Sequence, residues 1–336
     1  MTTPEKPLII VITPVRNEEW VLDAYLTCTS SWADYIILAD HHSEDNTRAI
    51  AQKYEKVILI DNPTYEWYES ECRARLLEEA CKISGDKVIF GLDADEFLSE
   101  GFEKTDSWKK ITESKENEIF CFNWLNIYDD FNTAEYTDMH FEWAAHFDSS
   151  VDIVNEYRKR EKHAVHCSRV PCLETSQCRY VDVDDFWVIH LAKLNHEKIR
   201  QKTDFYQVTW VDKNQEKANP INMYRGYSKY YPDKLVHLDN PIRLCRMNEE
   251  KDYSYMVQTS DHGKHYVDEM VRVFEREGTK KFEKLCIWDN PYLKQAGINP
   301  KLPVFYRLLH WYLRKTQKKS GEKIILYIDK VLKLFV

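Results

Sequence analysis

Glycine is scarce, at 8 of 336 residues. No G-x-G-x-x-G or G-x-x-x-x-G-K-[ST] segment follows the first apolar run. Dinucleotide-binding and P-loop readings therefore lose the backbone that would cradle a phosphate. Neither G-x-S-x-G nor H-E-x-x-H occurs, which removes the serine-hydrolase elbow and the helical zinc-protease site. The longest apolar runs are strand-sized, so no segment reads as a membrane span. The opening residues, MTTPEKPLII, lack a basic flank, a long apolar stretch and a small-residue cleavage site, so no secretory leader is expected. Nine cysteines, an odd number without a C-x-x-C, predict reduced thiols and a cytoplasmic setting. Low-complexity tracts and internal repeats are missing as well.

What is present is the composition of a folded protein, 43% hydrophobic and 31% charged. The length suits one large α/β domain with elaborations, or two domains. Net charge is −9 but unevenly placed: from Lys301 to Val336 nine Lys or Arg stand against Glu322 and Asp329, a balance of +7, so residues 1–300 carry −16. An acidic body lacks the basic footprint that nucleic-acid binding needs, and nucleic acid is not an expected partner.

Short Ile-, Val- and Leu-rich runs at Leu8–Thr13, Tyr35–Ala39, Val57–Asp61 and Lys87–Leu92 predict strands. Amphipathic stretches at Glu18–Ser31, Glu44–Tyr54 and Glu69–Ile83 predict the helices between them, with Ser43 placed as an N-cap of the second. Strands joined by helices of this length need parallel crossovers, so a Rossmann-like, doubly wound, mostly parallel sheet is expected. Ile119–Tyr128 and Phe141–Phe147 read as strands of a looser mixed region, and a helical pattern returns from His190 to Trp210. Two amphipathic helices close the chain. One presents Phe305, Leu308, Leu309, Tyr312 and Leu313, and the last presents Ile324, Ile325, Ile328, Val331, Leu332 and Phe335 on one face. The domain reading is a catalytic part over residues 1–240 (halves 1–110 and 111–240) and a helical extension over 241–336, basic from 301.

Each early strand runs into polar residues, which gathers acids and turn formers on the carboxyl rim where such sheets bind ligands. Two carboxylates one residue apart, in Leu92-Asp93-Ala94-Asp95-Glu96-Phe97, are costly to hold together unless a cation neutralises them. Hard oxygen ligands suit Mg²⁺ or Mn²⁺, shared with diphosphate oxygens and water. The bland alternative is a strand end capped by solvated acids. Three segments occur in order, however: Thr13-Pro14-Val15-Arg16-Asn17-Glu18, then Asp40-x-x-Ser43-x-Asp45-x-Thr47, then the Asp93-Ala94-Asp95 pair.

This ordered set resembles the family 2 glycosyltransferases of the glycosyltransferase A fold, closely over about residues 8–100 and weakly on to His190. The resemblance implies that Pro14, Val15, Arg16, Asn17 and Glu18 form the loop on the nucleotide, and that Asp40 hydrogen-bonds the base. It implies that Asp93 lies nearest the ribose and donor sugar, with Ala94 between it and Asp95, the direct metal ligand. Arg73 or Arg75 is similar to the family's arginine near the donor. His190, after the apolar run Phe186–Ile189, is similar to a third metal ligand; its bland reading is a histidine satisfied in the core. The sequence departs from the family in having Arg16 where tyrosine is frequent, and His41-His42 where an acid and a glycine are frequent.

An inverting transfer needs a base for the acceptor proton. Asp148, Asp152, Glu174 and Asp184 are candidates, with Asp148 first because it follows the aromatic run Phe141–Phe147. The set His163, His166, Cys167, Cys172 and Cys178 is too irregular for zinc, and His166-x-x-Arg169-x-Pro171 reads as a loop pinned by proline. Tyr224 to Tyr231 are candidates for stacking on sugar rings, against a bland reading as packing surface.

The expected activity is therefore metal-dependent inverting transfer from a nucleoside-diphosphate sugar, UDP-linked by resemblance, to a glycan, lipid-linked or protein acceptor. A sugar-phosphate nucleotidyltransferase is the alternative enzyme, though it would carry a glycine-rich basic loop after the first strand. A non-catalytic nucleotide-sugar or glycan-binding module is the alternative outside catalysis. The basic tail has two expected uses: a peripheral contact with an anionic inner membrane face, or a cap or homo-oligomer contact that hides its apolar face.

Overall fold

Along β1 (Leu8–Val15), Ile9, Val11 and Val15 turn to one side of the sheet while Ile10 and Ile12 turn to the other. Two apolar faces on one strand require cover on both sides. The helix α1 (Glu19–Thr29) supplies Trp20, Val21, Leu22 and Tyr25 to the first side. After α2 (Thr47–Ala51), the helix α3 (Glu69–Cys81) supplies Cys72, Ala74, Leu76 and Leu77 to the second. This is the doubly wound arrangement that the strand–helix alternation predicts. The computed structural model describes residues 6–63, 68–128, 130–147, 152–161, 167–171, 178–213, 219–227, 235–244, 254–256 and 263–336.

The chain divides into two compact units, residues 1–194 with 234–259, and residues 195–233 with 260–336. This differs from the expected boundary near residue 240: the helix after His190 belongs with the C-terminal helices, and a later segment belongs with the sheet.

Among the described residues, the first unit is built on a nine-stranded sheet. Strands β2 (Tyr35–Asp40), β3 (Val57–Asp61) and β4 (Lys87–Gly91) join β1 in the parallel order β3-β2-β1-β4. Beyond β4 the sheet turns mixed, through β5 (Glu96–Leu98), β6 (Glu118–Tyr128), β7 (Thr133–Phe147), β8 (Arg179–His190) and β9 (Val236–His237). Its order continues β4-β7-β6-β8-β5, with β7 antiparallel to β4 and β6, β8 parallel to β6, and β5 antiparallel to β8. The short helices α4 (Asp106–Thr112) and α5 (Ile153–Arg160) complete this unit.

Three local expectations change. Ser43 does not cap α2; Asn46 occupies that position without a side-chain cap, because Ser43 Oγ instead accepts the Asn17 N–H at 2.9 Å. His190 ends β8 rather than opening a helix. The helix α6 (His196–Asp212) begins later, where the Asn195 side chain accepts the Lys198 N–H at 2.9 Å.

The second unit is helical: α6, α7 (Pro220–Tyr227), α8 (Lys264–Glu277), α9 (Pro291–Gln295), α10 (Val304–Thr316) and α11 (Lys323–Leu332). Leu309 and Leu313 of α10 pack with Ile221 and Tyr224 of α7 and with Cys286. On α11 the single apolar face expected from spacing is split. Ile325, Ile328 and Leu332 turn inward, whereas Ile324, Val331 and Phe335 are exposed. The outer strip remains apolar because Tyr327 and Leu334 join it.

Candidate active site

The carboxyl end of β4 is where the two predicted acids leave the sheet. A tight turn carries the chain from β4 to β5: the Asp93 N–H donates to Glu96 Oε2 at 2.9 Å and the Glu96 N–H to the Asp93 carbonyl at 3.0 Å. Glu96 is fully buried, and its Oε2 also accepts from Trp143 Nε1 at 3.2 Å and Arg169 Nη1 at 2.6 Å. Its other oxygen, Oε1, has no hydrogen-bond partner among the described residues. Burial pushes the Glu96 carboxyl up from its ordinary range, against the pull of Arg169.

Asp93 is held from both sides. Arg73 Nη2 donates to Oδ1 at 2.9 Å and Arg169 Nη2 donates to Oδ2 at 3.0 Å. Arg73 lies inside the protein, with Nε on Glu69 at 3.1 Å and Nη1 lacking a partner among the described residues. Of the two arginines the sequence offers, Arg73 therefore reaches the acid pair. Arg75 points off the helix and pairs with Glu71 at 3.5 Å, one turn away.

Asp95 is buried, and its carbonyl accepts the Leu191 N–H at 2.8 Å. That bond follows from β5, where Glu96 and His190 are register partners. The His190 Nδ1 donates to Asn126 Oδ1 at 2.8 Å, which turns Nε2 toward Asp95 Oδ2 at 3.7 Å. Its ring stacks on Trp124 at 4.5 Å between centroids. Glu135, Asn126, His190 and Glu96 thus form one row across β7, β6, β8 and β5. In that row Glu135 Oε2 accepts from Tyr128 Oη at 2.9 Å and from Asn126 Nδ2 at 3.4 Å.

The loops after β1 and β2 are laced together. Asn17, Glu18 and Glu19 donate their N–H groups to Ser43 Oγ, Thr47 Oγ1 and Asp45 Oδ2 at 2.9, 2.8 and 3.1 Å. In return, Asn17 Oδ1 accepts the Glu44 N–H at 2.8 Å. The side chains of the Ser43-x-Asp45-x-Thr47 motif therefore hold the Pro14–Glu18 loop in shape. Asn17 and His42 both take left-handed backbone, φ 54° each, a conformation glycine adopts without strain. His41 beneath them accepts from Asn62 Nδ2 at 2.8 Å, and burial lowers its pKa to about 4, so it is neutral. Val15 and Arg16 follow from β1, with the Val15 carbonyl accepting the His41 N–H at 2.9 Å.

Asp40 is buried at the end of β2, and Arg48 Nη1 donates to its Oδ2 at 2.8 Å while also reaching Asp61 Oδ1 at 2.6 Å. Asp40 Oδ1 has no hydrogen-bond partner among the described residues. That leaves a buried acceptor facing the same rim as the acid pair.

The structure thus gathers Asp93, Ala94, Asp95, Arg73 and His190 around one turn. Of the base candidates, the two that are described, Asp152 and Asp184, lie elsewhere. Asp148 and Glu174 lie outside the described residues. Asp152 caps α5, accepting the Asn155 N–H at 3.4 Å, and Asp184 is exposed on β8. His163, His166 and Cys172 are outside the described residues, as is the stretch 228–231 of the tyrosine-rich segment; Cys167 is buried, accepting from Tyr157 Oη at 3.4 Å. Among the described residues no three His, Cys, Asp or Glu converge as a complete metal cage.

Sequence reasoning missed Arg169, Asn126 and Glu135. A signal for Arg169 existed in Gly91: a Cβ there would lie 2.5 Å from the Arg169 carbonyl oxygen, so only glycine admits that segment.

Solved structures of similar arrangement include HddC from Yersinia pseudotuberculosis, 14% identical with a TM-score of 0.31 over 55% of this chain and 93% of that one. Another is CTP:phosphocholine cytidylyltransferase from Streptococcus pneumoniae, 11% identical with a TM-score of 0.32 over 55% of this chain and 93% of that one. Likenesses this distant do not bear on activity. No curated protein matches the chain. The family model described as glycosyl transferase family 2 matches residues 10–170, which include the Pro14–Glu18 loop, Asp40 and the Asp93–Asp95 pair. Residues 10–170, which carry those segments, form a glycosyl transferase family 2 domain.

Proposed function

We propose that the protein transfers a sugar, with inversion and with Mg²⁺ or Mn²⁺, from a nucleoside-diphosphate sugar to a glycan, lipid-linked or protein acceptor. The donor is UDP-linked by family resemblance. What carries the reading is the approach of His190 to Asp95 beside an Asp93 clamped by two guanidiniums, on the carboxyl rim of the sheet. The residues fit a hard cation that takes few protein ligands and completes its shell with diphosphate and water. Asp95 Oδ2 would supply the oxygen, and His190, oriented by Asn126, the nitrogen. Bound there, the cation would offset charge on the departing diphosphate.

The chain's own groups have separable tasks. The buried acceptor Asp40 Oδ1 suits an N–H on the edge of a base. Asp93, fixed by Arg73 and Arg169, is oriented to accept hydroxyls of the ribose or donor sugar. Glu135 joins Asp148 as a candidate base, because it shares a sheet row with Asn126 and His190.

In Asp95→Asn, donor turnover with metal should fall at least ~100-fold, the scale of losing a positioned charge at a reacting group, while thermal unfolding stays in place. Full turnover in this variant, or in excess chelator, defeats the metal role. Glu135→Gln should lower kcat by about 100-fold or more, the contribution of a general base, and leave donor affinity unchanged. Wild-type kcat in Glu135→Gln returns the search to the carboxylates outside the described residues.

A further inference from the structure

The two closing helices hide one apolar face and show another. Leu309 and Leu313 of α10 and Ile325 of α11 are buried within their own unit. Outside, Val304, Leu308 and Trp311 recur along α10 at helical spacing, exposed by 67%, 62% and 58%. Along α11 the outer strip is Ile324, Tyr327, Val331 and Leu334, with Leu334 exposed by 81%. Internal packing thus covers one apolar face of these helices and leaves another in water.

The charge around this strip is one-sided. All nine cations from Lys301 to Lys333 are exposed, whereas Asp329, one of the two acids, is buried and bonded by Arg225 at 2.8 Å. Glu322 is the one exposed acid of the segment. Beside Val304 and Leu308 a cleft of about 530 Å³ opens, lined by Trp288, Lys294, Arg307, Arg314 and one acid, Asp289, which Arg314 faces at 3.8 Å. Apolar side chains and three cations lie together there.

We propose that the outer faces of α10 and α11 dock on an anionic bilayer, with Leu308, Trp311, Tyr327 and Leu334 entering the interface and the lysines meeting headgroups. Charge complementarity selects this occupant. A second copy of the chain would bring two segments of the same strong positive sign together, whereas anionic lipid neutralises them. No helix among the described residues is long and apolar enough to cross a membrane, so the contact is peripheral.

The test uses the full chain and vesicles of phosphatidylglycerol with phosphatidylcholine, against phosphatidylcholine alone, read by co-sedimentation. Binding should require the anionic lipid and weaken with salt. Leu308→Glu with Leu334→Glu should abolish it, and both side chains are exposed enough for the fold to persist, checked by circular dichroism. Replacing Lys315, Lys318 and Lys319 with serine should weaken partition by about 100-fold, at roughly fivefold per cation. Equal binding to both vesicles overturns the proposal. So does absence of binding, and so does concentration-dependent self-association that the same glutamates abolish, which would assign the face to a second copy.

Discussion

Two arginines, one in each unit, turn inward and use their guanidiniums differently. Arg225 of α7 fills every donor: Nε and Nη2 grip Asp329 at 2.8 and 3.1 Å, Nη2 also meets Thr316 Oγ1 at 2.7 Å, and Nη1 meets the Leu313 carbonyl and Gln317 Oε1 at 3.2 and 3.1 Å. It is a closed network whose partners lie on α10, α11 and the turn between them. Arg73 holds Glu69 and Asp93 but leaves Nη1 without a partner among the described residues, and Glu96 Oε1 and Asp40 Oδ1 are also without one. Buried polar atoms are normally satisfied, and unfilled ones call for an explanation. Others lie elsewhere, Gln207 Oε1 in the second unit among them, but these three share the rim of the first unit, where a polar ligand can fill them, while the Arg225 network is saturated as a structural staple is.

The contrast breaks most visibly at Arg225. In Arg225→Ala the buried Asp329 loses its counter-charge, a change that costs about 3–5 kcal/mol. Thermal unfolding should start at markedly lower temperature, with donor affinity preserved. An unshifted melt would mean that Arg225 is not a staple.

Acidity offers a second way to separate the units. Burial raises Asp204 of α6 to about 7, with Asn290 Nδ2 donating to its Oδ2 at 2.8 Å and opposing the rise. A carboxyl whose folded pKa is raised contributes stability that is complete below its unfolded pKa near ~4 and is lost as pH rises through 7. Each tenfold weakening of the acid on folding is worth ~1.4 kcal/mol, so Asp204→Asn should melt like the parent at low pH and exceed it above neutrality. Parallel melting curves across this range would show that Asp204 is ionised in the fold. His41 in the first unit works oppositely: its lowered value withdraws stability as pH falls from its usual range through about 4.

The smallest expected effect sharpens the comparison at the site itself. Lysine cannot span Glu69 and Asp93 together as the Arg73 fork does. Arg73→Lys should weaken nucleoside-diphosphate binding about 10-fold, near the ~1.5 kcal/mol lower bound for a charged hydrogen bond. Calorimetry showing equal affinity would restrict Arg73 to holding the turn.

Much of the first unit was legible because its elements announce themselves locally. The four parallel strands are runs of β-branched and apolar residues ending in turn formers, so Asp40, Asp93 and Asp95 could be assigned to one rim in advance. The choice between Arg73 and Arg75 could not, since it depends on the phase of α3 against the sheet. Arg169 was hidden for another reason: it arrives from a segment without periodicity, and only the intolerance of Gly91 records its approach. Ser43 had the residue type of a cap but was taken by the backbone of the neighbouring loop. In the tail, spacing revealed apolar helices but could not say that their hydrophobic residues serve two faces. That distinction needs the inward partners Ile221 and Tyr224, about 100 residues earlier.

The pairing of Glu96 with His190 has a consequence in time. The first four strands can form as soon as they leave the ribosome, but the turn carrying Asp95 gains its β5–β8 partner only after roughly 90 further residues are made. At ~5–20 residues per second that interval lasts about 5–20 s. For the first part of it, until Phe147 has been made, β4 awaits β7 and exposes an unpaired edge. Nascent chains stalled between Leu98 and Phe147 should therefore be the most prone to aggregate and the most dependent on chaperones, and the candidate rim closes only after the parallel strands that carry it.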